Sequence, residues 1–177
     1  MHATSRYGML FLLLFLLLFL LAPAVLFGPT DMLAPWPAGI SYECVQANFD
    51  ETHNIPYTYY SWDFEMPIGS IVLAASGGRV HTVGYTGTDG YGNQVRIKHE
   101  DGSLTLYGHL SEPCVCVGQR VQRGQPIGYS GATGYSLSPH LHISVIDEKN
   151  YSYPSRFLDI GCPVKGGFYR SQNGRRT

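Results

Sequence analysis

From Ser61 onward, apolar positions recur every second residue, the spacing of a half-buried strand. Trp62, Phe64 and Met66 alternate with Ser61, Asp63 and Glu65. Residues 71–75, Ile-Val-Leu-Ala-Ala, form a short buried run, and Gly77-Gly78 turns it into Arg79–Tyr85. Thr86–Asn93, rich in Gly and Asp, reads as a loop. Gln94–His99 and Ser103–Leu110 flank Glu100-Asp101-Gly102, whose Asp-Gly pair predicts a hairpin. The glycine-punctuated stretch from Val117 to Gly134 suits short strands that turn sharp corners, and His140–Ile146 is the last clear strand. After the leader the only helical expectation is a single turn within 150–160. The fold class is all-β.

The first 27 residues follow a different pattern. Arg6 is followed by no charge until Asp31, and Met9–Ala22 is almost pure Leu and Phe. A basic residue, an apolar run and the small residues Ala22-Pro23-Ala24 describe a signal peptide. Met9–Phe27 is also just long enough for a signal anchor helix across a membrane, with Arg6 on the cytoplasmic side, although Pro23 argues against an uninterrupted helix. Either reading predicts export, to the periplasm or cell envelope. Pro and Gly in 28–42 predict a linker, so the domain is expected to begin near Ser41 and fill 43–162. Residues 163–177, with Arg170, Arg175 and Arg176, read as a basic tail.

At 177 residues the chain has room for one domain besides the leader. A net charge of −1 and a charged fraction of 14% argue against nucleic acid as a partner. In an oxidising compartment Cys44, Cys114, Cys116 and Cys162 are expected to form disulfides. Cys114 and Cys116, two apart in an expected strand, face the same way and should reach separate partners. Cys44 and Cys162 could then be tied back to that strand. Neither lies in a Cys-x-x-Cys pair, which makes a cysteine-rich metal site a poor alternative.

In His140-Leu141-His142-Ile143-Ser144-Val145, strand alternation puts both histidines on one face and Leu141, Ile143 and Val145 on the other. The plain alternative is two exposed histidines on the wet side of a sheet. Two further features favour chemistry. Tyr107-Gly108-His109-Leu110 sets a histidine at a strand end, and Asp63 stands between Trp62 and Phe64. A carboxylate so flanked is costly to bury unless it is paired or bound to a metal.

Taken in order, these segments resemble the lysostaphin/LytM zinc peptidase family. The carrying motifs are Asp63-Phe64-Glu65-Met66-Pro67-Ile68-Gly69, Ala74-Ala75, Gly78-Arg79-Val80, Tyr91-Gly92-Asn93 and Tyr107-Gly108-His109-Leu110. They continue with Val121 to Gly134, including Gly124-Gln125 and Ile127-Gly128, and with Pro139-His140-Leu141-His142. The resemblance covers about half of the chain and implies an antiparallel two-sheet domain, the duplicated hybrid motif. It implies Zn2+ held by Asp63 and His142, with His109 and His140 acting on the substrate. That substrate would be the cross-link or stem peptides of bacterial peptidoglycan.

One departure concerns the third ligand. The family's compact His-x-x-x-Asp would put a histidine at the position of Tyr59, and a neutral phenol is a poor zinc ligand. His53, ten residues before Asp63, is the expected substitute, with Asp50, Glu51 or Tyr59 as alternatives. His81 and His99 read as surface or hairpin residues. Tyr57, Tyr59, Tyr60, Tyr91 and Tyr135 either line a groove or pack its rim.

A second function class is a degenerate relative that binds the wall or activates a partner hydrolase, for which Tyr59 is the only argument. A carrier-type β domain would need a lysine at a hairpin tip within Val117–Gly134, where there is none.

Overall fold

The computed structural model describes residues 28–29 and 31–174. The apolar segment 1–27 and the end arginines Arg175 and Arg176 lie outside these residues. Among the described residues no helix is long and apolar enough to cross a membrane. The described chain consists of eleven strands.

In chain order these are β1 (Ser41–Gln46), β2 (Ser61–Glu65), β3 (Ile71–Leu73), β4 (Gly78–Tyr85), β5 (Asn93–Lys98) and β6 (Leu104–Leu110). They continue with β7 (Glu112–Pro113), β8 (Arg120–Val121), β9 (Pro126–Tyr129), β10 (His140–Ile146) and β11 (Phe168–Arg170). Eight form one sheet in the order β11-β1-β2-β10-β6-β5-β4-β8, and β3-β9-β7 form a second. Every strand pair is antiparallel.

The core follows from the period of two. Trp62 and Phe64 of β2, Leu141, Ile143 and Val145 of β10, and Val95 and Ile97 of β5 bury one face of the large sheet together with Val72 of β3 and Ile127 of β9. The residues between them, Asp63, His140 and His142, take the opposite face, where the site lies.

Four expectations change at the edges of the domain. First, the segment read as a linker is part of the core. Met32, Ala34 and Trp36 are fully buried, Trp36 packs edge-on against Phe64 at 4.7 Å, and Leu33 N donates to Ala75 O at 2.9 Å. Pro35 is buried with them, and the prolines disguise the segment as a linker. Second, the expected tail supplies β11, which pairs with β1, and buries Ser171 and Asn173. Ser171 Oγ donates to Trp36 O at 2.6 Å and Asn173 Nδ2 to Ala34 O at 3.0 Å, so the two ends of the described chain close on each other.

Third, the four cysteines are free thiols. Cys44 is fully buried, with its Sγ donating to Gln46 O, and burial pushes its pKa up to about 12. The strand expected through Cys114 and Cys116 stops at Pro113, which removes the geometry on which the pairing rested. Fourth, no helical turn forms within 150–160; Phe157 and Gly161 instead exchange two backbone hydrogen bonds, at 2.8 and 2.9 Å, as an isolated antiparallel bridge that closes a tight turn.

Candidate metal centre and groove

β2 and β10 are neighbours in antiparallel register, and this register puts Asp63 directly opposite His142. Both are only 3% exposed. His142 Nδ1 donates to Asp63 Oδ1 at 2.8 Å. His53 arrives from the connection between β1 and β2. That loop is folded back by Asp50, whose carboxylate accepts from Ala47 N at 2.8 Å, and by Gln46, whose side chain accepts from Thr52 N and Oγ1. His53 Nδ1 then donates to Ala47 O at 2.8 Å, which leaves Nε2 facing Asp63 Oδ2 at 3.4 Å. Ligand atoms of His53, Asp63 and His142 lie within 4.8 Å of one another.

The donor set fits a zinc ion. Two imidazoles and one carboxylate are ligands zinc takes, and three protein ligands leave a position open. His53 Nε2 and His142 Nε2 are buried without a hydrogen-bond partner. Among the described residues Asp63 pairs with no lysine or arginine, only with histidines. Burial works against the Asp63 carboxylate, but the hydrogen bond from His142 and the closeness of the His53 ring hold its pKa well below the usual range. Burial also opposes charge on His53 and His142. Asp63 outweighs it at His53, whose pKa is raised, while burial prevails at His142, whose pKa is lowered. Tyr59 packs on Phe49 at 5.4 Å between ring centroids and takes no part in the cluster.

The other two histidines flank this cluster. His140 Nδ1 donates to Ser138 O at 2.8 Å, and Nε2 lies 3.7 Å from Asp63 Oδ2. His109 Nδ1 donates to Thr133 O at 2.8 Å, and its ring centroid is 4.6 Å from that of His140. A carbonyl only accepts, so each Nδ1 carries the proton and each neutral ring offers Nε2 as an acceptor. Burial, with His142 and His140 nearby, pushes the pKa of His109 down to about 4.

His109 has a φ of 59°, unusual for a residue with a side chain. The β5–β6 register explains it. Between the pairs Asn93↔Leu110 and Val95↔Tyr107 there is one extra residue on β6, a bulge at Gly108-His109. Without it, alternation from Tyr107 would send His109 into the core. With it, Leu110 takes the core position and His109 stays on the face of His142.

Thr133 is held by an equally tight crossing. Its Oγ1 accepts from Asn93 N at 2.9 Å and donates to Leu110 O at 2.8 Å. A Cβ on Gly134 would lie 2.3 Å from Gly92 N, so only glycine allows the two loops to touch. The supporting roles of Ala47, Thr133 and Ser138 are carried by backbone carbonyls, which no side-chain pattern announces.

The five expected site residues, His53, Asp63, His109, His140 and His142, line one groove of about 560 Å³, together with Tyr57, Tyr91 and Tyr135. Tyr59 and Tyr60 pack against Phe49. His81 is exposed, whereas His99 is buried between Gly77 O and Thr105 Oγ1, away from the groove.

An antiparallel β domain with a buried His-Asp-His cluster opening into a histidine-lined groove has the form of a metal-dependent hydrolase. A sequence profile of Peptidase family M23 matches residues 57–154, more than half of the chain, and the chain belongs to that family. It is 46% identical over 85 residues to the glycyl-glycine endopeptidase ALE-1 of Staphylococcus capitis, covering 48% of this chain and 23% of that protein. With the peptidoglycan DD-endopeptidase ShyA of Vibrio cholerae it shares 41% identity over 108 residues, 58% of this chain and 24% of the relative. The chain thus spans about a quarter of these curated relatives. Among solved structures, the catalytic domain of lysostaphin from Staphylococcus simulans matches with a TM-score of 0.53 and 34% identity, over 65% of this chain and 88% of that one. A zinc-containing peptidase from Vibrio cholerae matches at 0.56 and 31% identity, over 70% and 39% of the two chains.

Proposed function

We propose that the protein is an exported zinc metalloendopeptidase that hydrolyses cross-link or stem peptides of bacterial peptidoglycan. The observation that carries this reading is the convergence of His53, Asp63 and His142 in the groove that also holds His109 and His140. Membership of Peptidase family M23 supports peptide hydrolysis. The names of the relatives, glycyl-glycine endopeptidase and peptidoglycan DD-endopeptidase, point to wall peptides. Export rests on the apolar segment after Arg6.

In this reading His53, Asp63 and His142 hold Zn2+, which when bound would supply a Lewis acid that polarises the scissile carbonyl and acidifies a water. His140 accepts the proton of the attacking water at Nε2, since its Nδ1–H is occupied by Ser138 O. His109, fixed by Thr133 O, stands beside it. Its neutral ring can only accept at Nε2, so the proton it gives to the leaving amine is the one His140 has taken from the attacking water. A pKa lowered to about 4 keeps the ring neutral beforehand and lets it release that proton readily.

The test is release of soluble muropeptides from purified wall by the zinc-loaded protein, compared with His53→Ala and His142→Ala. Release by the parent alone, with zinc lost from both variants, is expected. A protein that binds wall but releases nothing when zinc-loaded would overturn the enzyme reading.

A further inference from the structure

Arg96 is a cation in the groove that the chemistry above does not use. It sits on β5, on the outer face of the sheet, with Val95 and Ile97 turned to the core on either side. Its guanidinium is partly buried and held by neutral groups. Nε donates to Gln94 Oε1 at 2.9 Å, and Nη1 donates to Asn150 Oδ1. Gln94 is 2% exposed. Asn150 adopts a φ of 70° at the tip of the turn that Asp147 organises by accepting from Lys149 N and Tyr151 N.

What Arg96 lacks is an anion. Lys98, Arg123 and Lys165 pair with Glu148, Asp31 and Glu51, but among the described residues no carboxylate pairs with Arg96. A partly buried charge is normally matched by an opposite one. Two amide oxygens orient the guanidinium without neutralising it, and they leave further N–H groups of the planar fork for a bidentate acceptor.

The register locates Arg96 relative to the cluster. Ser144 pairs with Leu106 and Leu106 with Arg96, one side-chain row along from His142 and Gly108. Two strand spacings across and two residues along put its Cα roughly 12 Å from that of His142. Tyr91 lies toward the same end, its ring 5.1 Å from that of His142. An extended peptide advances about 3.3 Å per residue, so a chain bound at the metal would pass Arg96 within roughly two to four residues of the scissile bond.

We propose that Arg96, aimed by Gln94 and Asn150, is a specificity subsite that pairs with a free carboxylate carried by the peptide substrate near the cleaved bond. This rests on the hydrolase reading above and narrows its substrate class to acidic peptides. The alternative, that Arg96 only staples the 147–151 turn to β5 over Leu106 and Ile146, makes a different prediction for substrates.

The test uses the zinc-loaded protein and two probes: cross-linked muropeptides, and the same muropeptides with their free carboxylates converted to carboxamides. A charge-assisted hydrogen bond predicts that kcat/KM favours the native probe by about 10- to 100-fold. In Arg96→Gln the two probes should be cleaved alike, and Arg96→Lys should recover part of the preference through charge without the fork. Zinc content and melting temperature of each variant report folding. Equal cleavage of both probes by the parent, or an equal loss on both in Arg96→Gln, would overturn the subsite and leave the hydrolase reading standing. No cleavage of either probe by the parent would overturn both.

Discussion

His53 Nε2 lies 3.4 Å from Asp63 Oδ2, although a sequence separation of ten far exceeds the one helical or strand step that usually sets two ligands side by side. Ala47 O fixes the ring and Gln46 and Asp50 fix the loop. His53→Ala should therefore lose zinc as completely as His142→Ala, with affinity lower by more than about 100-fold, since losing even an outer partner costs 10- to 100-fold. Tyr59→Phe should keep its metal. Metal analysis after dialysis against a weak chelator checks all three variants, and zinc retained in His53→Ala would return the third ligand to the acids of the loop.

The bulge that presents His109 allows its backbone and its imidazole to be tested apart. Asparagine tolerates a φ of 59° but has no proton relay to offer. His109→Asn, which keeps the backbone but loses the bond to Thr133 O, should cost only about 1 kcal/mol of stability. Its turnover should fall by roughly 10²- to 10³-fold. Urea denaturation beside muropeptide release checks the pair, and a large loss of stability would mean that His109 is held for packing.

At Gly134 the effect should run the other way, through structure first. A Cβ placed 2.3 Å from Gly92 N forces the two loops apart and carries Thr133 O away from His109 Nδ1. Gly134→Ala should cost about 3 kcal/mol. Gly102, which also has a positive φ but no atom within 4 Å of an added Cβ, isolates the conformational cost alone. Gly102→Ala should lose about 1 kcal/mol and keep its turnover. Equal losses at the two glycines would show that the crossing is loose.

The alternation of Trp62, Phe64, Leu141, Ile143 and Val145 was legible because burial on one face writes a period of two into the chain. The same alternation set Asp63, His140 and His142 on the other face. Three features left no comparable signal. Pro35 and Pro37 hid the core residues Met32, Ala34 and Trp36 within a stretch of linker composition. The strand partner of Ser41–Glu43 lies some 125 residues away at Phe168–Arg170, a distance no local pattern spans. The parity of His109 depends on one inserted residue, which periodicity alone misplaces. Cysteine count also misled, because an even number describes a disulfide framework only where the thiols can meet. Trp36 turns this lesson into a measurement. As a fully buried indole packed on Phe64, it should cost about 3–5 kcal/mol when changed to alanine. A chain begun at Ser41 should be less stable still, and equal stability of that shorter chain would restore the linker reading.

His99 gives the fold a pH dependence separate from that of the metal cluster. Its Nδ1 donates to Gly77 O at 2.8 Å, so Nε2 must accept from Thr105 Oγ1 at 3.0 Å. Thr105 in turn meets Tyr107 Oη at 3.2 Å, and Tyr107 Oη accepts from Ala75 N at 2.8 Å. With His99 neutral every proton in this buried chain has an acceptor. Protonating Nε2 forces the Thr105 hydroxyl to turn toward Tyr107, and the Tyr107 hydroxyl proton is then left without a partner. Burial accordingly lowers the pKa of His99. A histidine whose pKa is lower in the folded than in the unfolded chain contributes stability that is full above the unfolded value, about 6.5, and is lost as pH falls through the folded one. Unfolding free energy should therefore fall between pH 7.5 and 5 by more in the parent than in His99→Gln, whose amide can donate to Gly77 O and accept from Thr105 without titrating. Other buried histidines also respond to acid, so the difference between the two proteins at each pH is the informative quantity. Parallel pH profiles would show that His99 tolerates its charge, and that the chain from Ala75 to Gly77 is not the constraint the hydrogen bonds describe.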